Sequence, residues 1–442
     1  MSVIEEMAGH LAGLDAGNKD ILELHLVDTI GAAILGPCIP EGRALLDGEG
    51  DGLTALSAGN ALDQVAVRVG MTRLSELDDI HLSSGTTPGS IIVPAVTTLS
   101  AHLPDVKAED FGAAMVAGLE AMIRLGAGVR GPEIIYRGIW TTYFTAPFGS
   151  AAACARLLGL DANETAHALA IALTSIAGRM GQPGSEKTAR WLMAGHAARA
   201  GCFAALSARD GFRGDLSLLD GAWLENAHGV ASDAERFNQG WGGESALEGI
   251  SLKPFCSAKQ IIAAVTAFKE ILAGGLDPDS ITSLTIHVPQ AYAKMIDHGV
   301  VAGNRLSSIS SGPYQLAVAA YHPEALYDAV RGGLPLDDKV AELMEKTSVA
   351  VDADLAAHMP GCWPGRVEVT GPAGTEEATI THAPSDPGNQ LSPEEALEKL
   401  HKAGDRLIGA EAVEDWISLA RGALSDDGAV RELAGRFVVW RG

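Results

Sequence analysis

The chain has 442 residues, a formal net charge of −24, 47% hydrophobic and 20% charged residues, and five cysteines. That much negative charge repels phosphate backbones, so nucleic acid is excluded as a partner, and no apolar run reaches the roughly eighteen residues of a membrane span, so a membrane is excluded too. Cys38, Cys154, Cys202, Cys256 and Cys362 are scattered, odd in number and never spaced as C-x-x-C; this argues against a disulfide framework or zinc site and fits a reducing cytoplasm.

The length predicts two or three domains. The N-terminus, MSVIEEMAGHLAGLDAG, is acidic and amphipathic, unlike a secretory signal or an arginine-rich transit peptide. Fifty-two glycines, many alanines and only 5% aromatics predict helices packed closely through small residues. Residues 21–36, 112–129, 149–160, 164–178 and 194–212 carry apolar positions at helical spacing and read as core helices. Near residue 253 the pattern changes. SITSLTIHVPQ (280–290) alternates, and GRVEVTG (365–371) with EATITHA (377–383) reads as two strands joined by a GPAGTE turn. Ser392-Pro393-Glu394-Glu395 starts a further helical stretch that runs to Arg441. The expected organisation is a helical domain over 1–252, a smaller α/β domain over 253–392, and a segment over 393–442 that returns to the first.

Gly126-Ala127-Gly128-Val129-Arg130-Gly131 matches G-x-G-x-x-G but follows a helical pattern and reads as a helix-ending turn. No phosphate loop, H-E-x-x-H pair or G-x-S-x-G elbow is present. ELDDIHLSSGTTPGS (76–90) crowds three carboxylates and a histidine before a run of small polar residues. Crowded carboxylates raise one another's pKa unless compensated, so the stretch is either a solvated turn or part of a site. Asp78, Asp79 and His81 have metal-ligating side chains but no second ligand cluster. In an acidic chain the cations carry more information: Lys187 and Arg190 in SEKTARW, and Lys253 and Lys259 in LKPFCSAK at the change of pattern. A solvated basic face is the plainer reading of any one of them. Tyr143 and Tyr314 sit among small residues, and a tyrosine beside a cation can act as a base.

ELDDIH...TTPGS, APFGSAAACARLLGL, AGHAARAGCFAALSARDGFRG, LKPFCSAKQIIAAV and SSGPYQLAVA follow one another as in the MmgE/PrpD family, and LVDTIGAAILG resembles that family's opening helix. The resemblance covers roughly residues 20–400. It implies a mainly α protein, with a large all-helical domain and a smaller α/β (α+β) domain, an active site between them and a homodimer. It also implies a reaction on a small polycarboxylate that removes a proton next to a carboxylate, with no metal or organic cofactor. Known members include 2-methylcitrate dehydratase, cis-aconitate decarboxylase and iminodisuccinate epimerase.

The family's acidic motif is matched by Glu76, Asp78 and Asp79, its domain-junction lysine by Lys253 and its late tyrosine by Tyr314. Thr86-Thr87-Pro88 stands where dehydratase and decarboxylase members have histidine before proline, Trp140 where they have a second histidine, and Arg190 where they have a lysine ahead of Gly195. Without those histidines an epimerase of the iminodisuccinate type is expected, with a lyase or a catalytically silent scaffold as alternatives. Tyr143, activated by a nearby cation and opposed by Lys253, Asp79 or His81, is expected to move the proton. Arg73, Thr86, Thr87, Trp140, Lys187, Arg190 and Tyr314 are expected to hold the substrate, in a pocket made cationic within an acidic molecule.

Overall fold

Close backbone approach through glycine and alanine organises the helices of this protein. The computed structural model describes residues 1–47, 58–178, 180–181, 189–243, 245–332 and 335–442. The chain divides into two compact units, one from Met1–Gln182, Ala189–Ile250 and Gly404–Gly442, the other chiefly Ser251–Ala403.

The first unit contains α1 (Lys19–Leu35), α2 (Ala61–Thr72), α3 (Gly89–Ser100), α4 (Ala108–Gly128), α5 (Thr141–Leu157), α6 (Ala162–Leu173) and α7 (Ala189–Arg209). Asn18 caps α1 by accepting the Asp20 N–H at 3.1 Å, and Asp161 with Glu164 forms a capping box at α6. Helix α5 packs between α4 and α7. A Cβ on Gly118 would lie 2.7 Å from the Ala153 Cβ, and one on Gly149 would lie 2.7 Å from the Met122 Cβ, so glycine permits the α4–α5 contact. A Cβ on Gly195 would overlap the Ala66 carbonyl oxygen, where α7 crosses α2. The small-residue composition is thus a packing requirement.

By length and composition, Lys19–Cys38 and Ala108–Gly128 are apolar enough to cross a bilayer, which the sequence reading did not allow for. They are 78% and 94% buried within the protein, as core helices are. Helix α4 closes at Gly128, and Arg130 adopts φ 53° just beyond it, so the glycine motif there ends a helix. Helix α5 begins at Thr141, earlier than the spacing predicted, because Pro147 is carried inside the helix.

The second unit holds α8 (Lys259–Ala273), β1 (Ser283–Val288), α9 (Gly312–Tyr321), β2 (Thr347–Val351), β3 (Gly365–Gly371) and β4 (Gly374–Ile380). The sheet order is β2-β1-β3-β4, parallel between β1 and β2 and antiparallel elsewhere. Ile286 lies opposite both Val349 and Val367, which sets the register of the buried face. The last strand starts three residues before its predicted position, since Gly371 pairs with Gly374 and Pro372-Ala373 alone makes the turn. Helix α8 covers β3 and β4. Beyond the sheet run α10 (Pro393–Ile408), α11 (Ala410–Gly422) and α12 (Asp427–Val439); α11 packs on α1 and α12 on α3.

Candidate active site

Of residues 71–90, Ser83 alone is exposed. A solvated turn is excluded for this stretch, and buried carboxylates need partners. Each has one. Glu76 closes the turn after α2 in the left-handed region, φ 51°, an arrangement that costs a non-glycine residue on the order of 1 kcal/mol. Its carboxylate accepts the Arg190 guanidinium and, at 3.3 Å, the Trp191 indole N–H. Asp78 lies 3.3 Å from the Arg73 guanidinium.

Asp79 accepts the Gly89 N–H with its two oxygens at 3.1 and 2.9 Å, which sets a carboxylate at the N-terminus of α3, where the helix dipole favours it. A Cβ at residue 89 would sit 2.6 Å from Asp79 Oδ2, so glycine makes this approach possible. Burial, reinforced by Asp78, still pushes the Asp79 carboxyl up to about 7. Asp79 therefore accepts the first N–H of α3 from a buried position.

His81 is held as closely. Its Nδ1 accepts the Ser84 N–H at 3.2 Å and lies 2.9 Å from Ser84 Oγ, leaving the ring proton on Nε2. Burial pushes the ring down to about 4, and a Cβ on Gly249 would fall 2.5 Å from Nε2. The imidazole is neutral and wedged in place. Thr86 turns inward as well: its hydroxyl bonds Ser84 Oγ at 2.7 Å and its carbonyl accepts the His81 N–H at 2.7 Å. Thr86 thus uses its hydroxyl and carbonyl within the turn itself.

Arg73, Thr87 and Tyr143 come together. Arg73 donates to Thr87 Oγ1, and Thr142 Oγ1 accepts the Thr87 N–H at 3.1 Å while sharing a 3.2 Å hydroxyl contact with Thr87 Oγ1. The Arg73 guanidinium is 5.6 Å from the centre of the Tyr143 ring. Burial works against that charge, but Asp78, with Tyr143, Glu76 and Asp79, more than offsets it and holds Arg73 above its ordinary range. The Tyr143 ring is fully buried, lies 6.0 Å from the Trp140 ring, and its hydroxyl has no hydrogen-bond partner among the described residues. Trp140 directs its own N–H to the Gly181 carbonyl at 3.3 Å and carries the Arg190 guanidinium 5.4 Å from its ring.

Burial pushes the Tyr143 phenol up, and Arg73 and Arg190 do not reverse it, which keeps the proton on the hydroxyl. Among the described residues Glu76 pairs with Arg190 and Asp78 with Arg73. Arg190 holds an internal carboxylate, so a substrate carboxylate has to compete with Glu76 for it.

In the second unit Lys253 is 3% exposed, and its carbonyl accepts the Lys399 ammonium at 2.7 Å. Tyr314 sits in the first turn of α9, where Ser311 Oγ accepts its N–H at 3.2 Å. Its ring faces the Arg331 guanidinium at 5.7 Å, and its hydroxyl has no partner among the described residues. Burial pushes this phenol up despite Arg331. Lys187 lies outside the described residues. Among the described residues no three His, Cys, Asp or Glu side chains gather as metal ligands, and Asp78, Asp79 and His81 have the separate partners given above.

Sequence reasoning missed Thr142, which bridges to Thr87, and Trp191, the second donor to Glu76. Thr142 is adjacent to Tyr143 and Trp191 to Arg190, so neighbourhood was the available signal. Lys399 gave none, being one of several charged residues on an amphipathic helix.

The MmgE/PrpD N-terminal domain model matches residues 15–235 and the C-terminal domain model residues 255–422. A cis-aconitate decarboxylase-like protein, oryM, of Aspergillus oryzae is 34% identical over 153 residues, 33% of this chain and 31% of its own. A cis-aconitate decarboxylase of Aspergillus terreus is 31% identical over 152 residues, 33% of this chain and 30% of its own. These matches span about a third of each relative. With both domain models placed in order along a helical unit and a mixed-sheet unit, the chain belongs to the MmgE/PrpD family.

Proposed function

We propose that this protein is an enzyme that transfers a proton at a carbon next to a carboxylate of a small di- or tricarboxylate, with protein side chains as acid and base. The observation that carries the reading is the Tyr143 hydroxyl: buried, protonated, without a hydrogen-bond partner among the described residues, and flanked by the guanidinium of Arg73. A phenol held in this way can hand its proton to an enediolate, while guanidinium groups offset the charge that develops on the substrate. Lys253 is the further group this reading assigns to the reaction, either to bind a carboxylate or to take the opposing proton.

Two finer reactions use this donor. Decarboxylation breaks the bond between carbon and carboxylate, leaves the electron pair on carbon as carbon dioxide departs, and needs only an acid to deliver a proton there. The protonated phenol and the names of the two relatives favour it. Epimerisation of the iminodisuccinate type needs a base on one face and an acid on the other. Thr86-Thr87-Pro88 and Trp140, in place of histidines, favour this second reading.

Incubation with cis-aconitate and with iminodisuccinate stereoisomers in deuterated water, followed by NMR, separates them. Decarboxylation yields carbon dioxide and a product carrying one solvent deuterium. Epimerisation yields exchange with the carbon skeleton intact. Neither product across a panel of such acids sinks the proposal and leaves the silent-scaffold alternative.

A further inference from the structure

Three consecutive residues, Ser251, Leu252 and Lys253, are each gripped by a polar side chain from residues 385–399. Ser251 Oγ donates to Asp386 Oδ1 at 2.9 Å, Ser385 Oγ donates to the Leu252 carbonyl, and Lys399 Nζ donates to the Lys253 carbonyl at 2.7 Å. Asp386 is fully buried and also accepts the Lys259 ammonium, while its other oxygen takes the Ala383 N–H at 3.0 Å. Lys259 is 2% exposed and reaches Ser251 Oγ at 3.2 Å.

The loop that delivers these groups is tied to itself. The Ser385 N–H donates to the Asn389 carbonyl at 2.8 Å, and the Asn389 N–H to the Asp386 carbonyl at 2.8 Å. Ser385 adopts φ 79°, a left-handed conformation a serine rarely takes. Strain of this kind persists only where surrounding contacts over-determine it, and here the contacts converge on the backbone leading to Lys253.

Lys259 and Lys253 also sense each other electrostatically. Burial lowers the Lys259 ammonium, Asp386 opposes the fall, and Lys253 adds to it. The other titratable groups facing this pair are Cys256, whose thiol burial pushes up to about 11, together with Cys362 and Lys399. Two thiols in their neutral form leave Asp386 as the counter-charge the structure shows for Lys259.

We propose that the Lys259–Asp386 pair is a positioning element for Lys253: together with Ser385 and Lys399 it fixes the backbone of residues 251–253, from which the Lys253 side chain departs. The inference rests on the proposed function, in which Lys253 serves the substrate.

The test uses the full chain and reads amide exchange of residues 251–256 together with turnover. In Lys259→Met that exchange is expected to quicken about tenfold, and kcat should fall more than KM changes. Lys259→Arg, which keeps a cation for Asp386, is expected to restore both. Unchanged exchange in a folded Lys259→Met protein overturns the inference. If that variant does not fold, Ser251→Ala removes one hydroxyl and no charge; the same exchange is then expected to quicken about tenfold, and unchanged exchange overturns the inference. Wild-type protein without turnover on any carboxylate would end the functional reading while leaving the exchange measurable.

Discussion

Asp79→Asn tests the account of the buried acidic motif most directly. Asparagine keeps an oxygen for the Gly89 N–H but carries no charge. In the wild type the Asp79 carboxyl stands at about 7 against an ordinary 3.8, burial being the main cause and Asp78 the next. Because the folded-state value is raised, the folded chain binds this proton more tightly than the unfolded one. The associated stability is present below pH 3.8 and is lost as pH rises through 7. At 1.36 kcal/mol per pH unit the loss amounts to about 4 kcal/mol, as an order of magnitude. Asp79→Asn should therefore be close to wild type near pH 4 and more stable than wild type at pH 8. Urea titrations followed by tryptophan fluorescence across pH 4.5 to 8 measure the difference. A gap that stays constant over that window would refute the reasoning, since it would mean that Asp79 titrates alike in the folded and unfolded chains.

His81 predicts the opposite slope. Its folded value, lowered to about 4 from 6.5 by burial, gives stability that is present above 6.5 and lost as pH falls through 4; His81→Asn should remove about 3 kcal/mol of acid sensitivity over that range, read in the same titrations. Tyr143→Phe deletes a hydroxyl that has no hydrogen-bond partner among the described residues, so thermal stability should hold to within about 1 kcal/mol, while turnover should fall by on the order of a hundredfold, as measured by substrate NMR. Arg190→Ala takes the guanidinium from the buried Glu76 carboxylate, to which Trp191 also donates, and should cost roughly 3 kcal/mol. The double variant Arg190→Met with Glu76→Gln should recover much of this in a denaturation cycle. Gly195→Ala places a Cβ against the Ala66 carbonyl oxygen and should destabilise by roughly 3 kcal/mol or more, visible as a fall in Tm.

The helical character of the first 250 residues, the two strands after 365 and the family were legible in the chain, because apolar periodicity and ordered motifs are local properties. The partners of the acids in residues 76–90 were not. Three adjacent acids looked alike in sequence, yet Glu76 meets Arg190, Asp78 meets Arg73 and Asp79 caps α3. The sequence reading gave Tyr143 a neighbouring cation and therefore a lowered pKa. It had no measure of burial, and burial outweighs the cations. Lys259 looked like one more basic residue until Asp386, more than a hundred positions away, closed on it.

What the sequence determined by itself was which segments are helix or strand and which side chains are chemically capable, since both follow from residue type and short-range spacing. Only the tertiary structure decided which carboxylate neutralises which cation and which titrating groups are withdrawn from water. Those outcomes depend on distance and desolvation between residues far apart in the chain, and no local pattern encodes them.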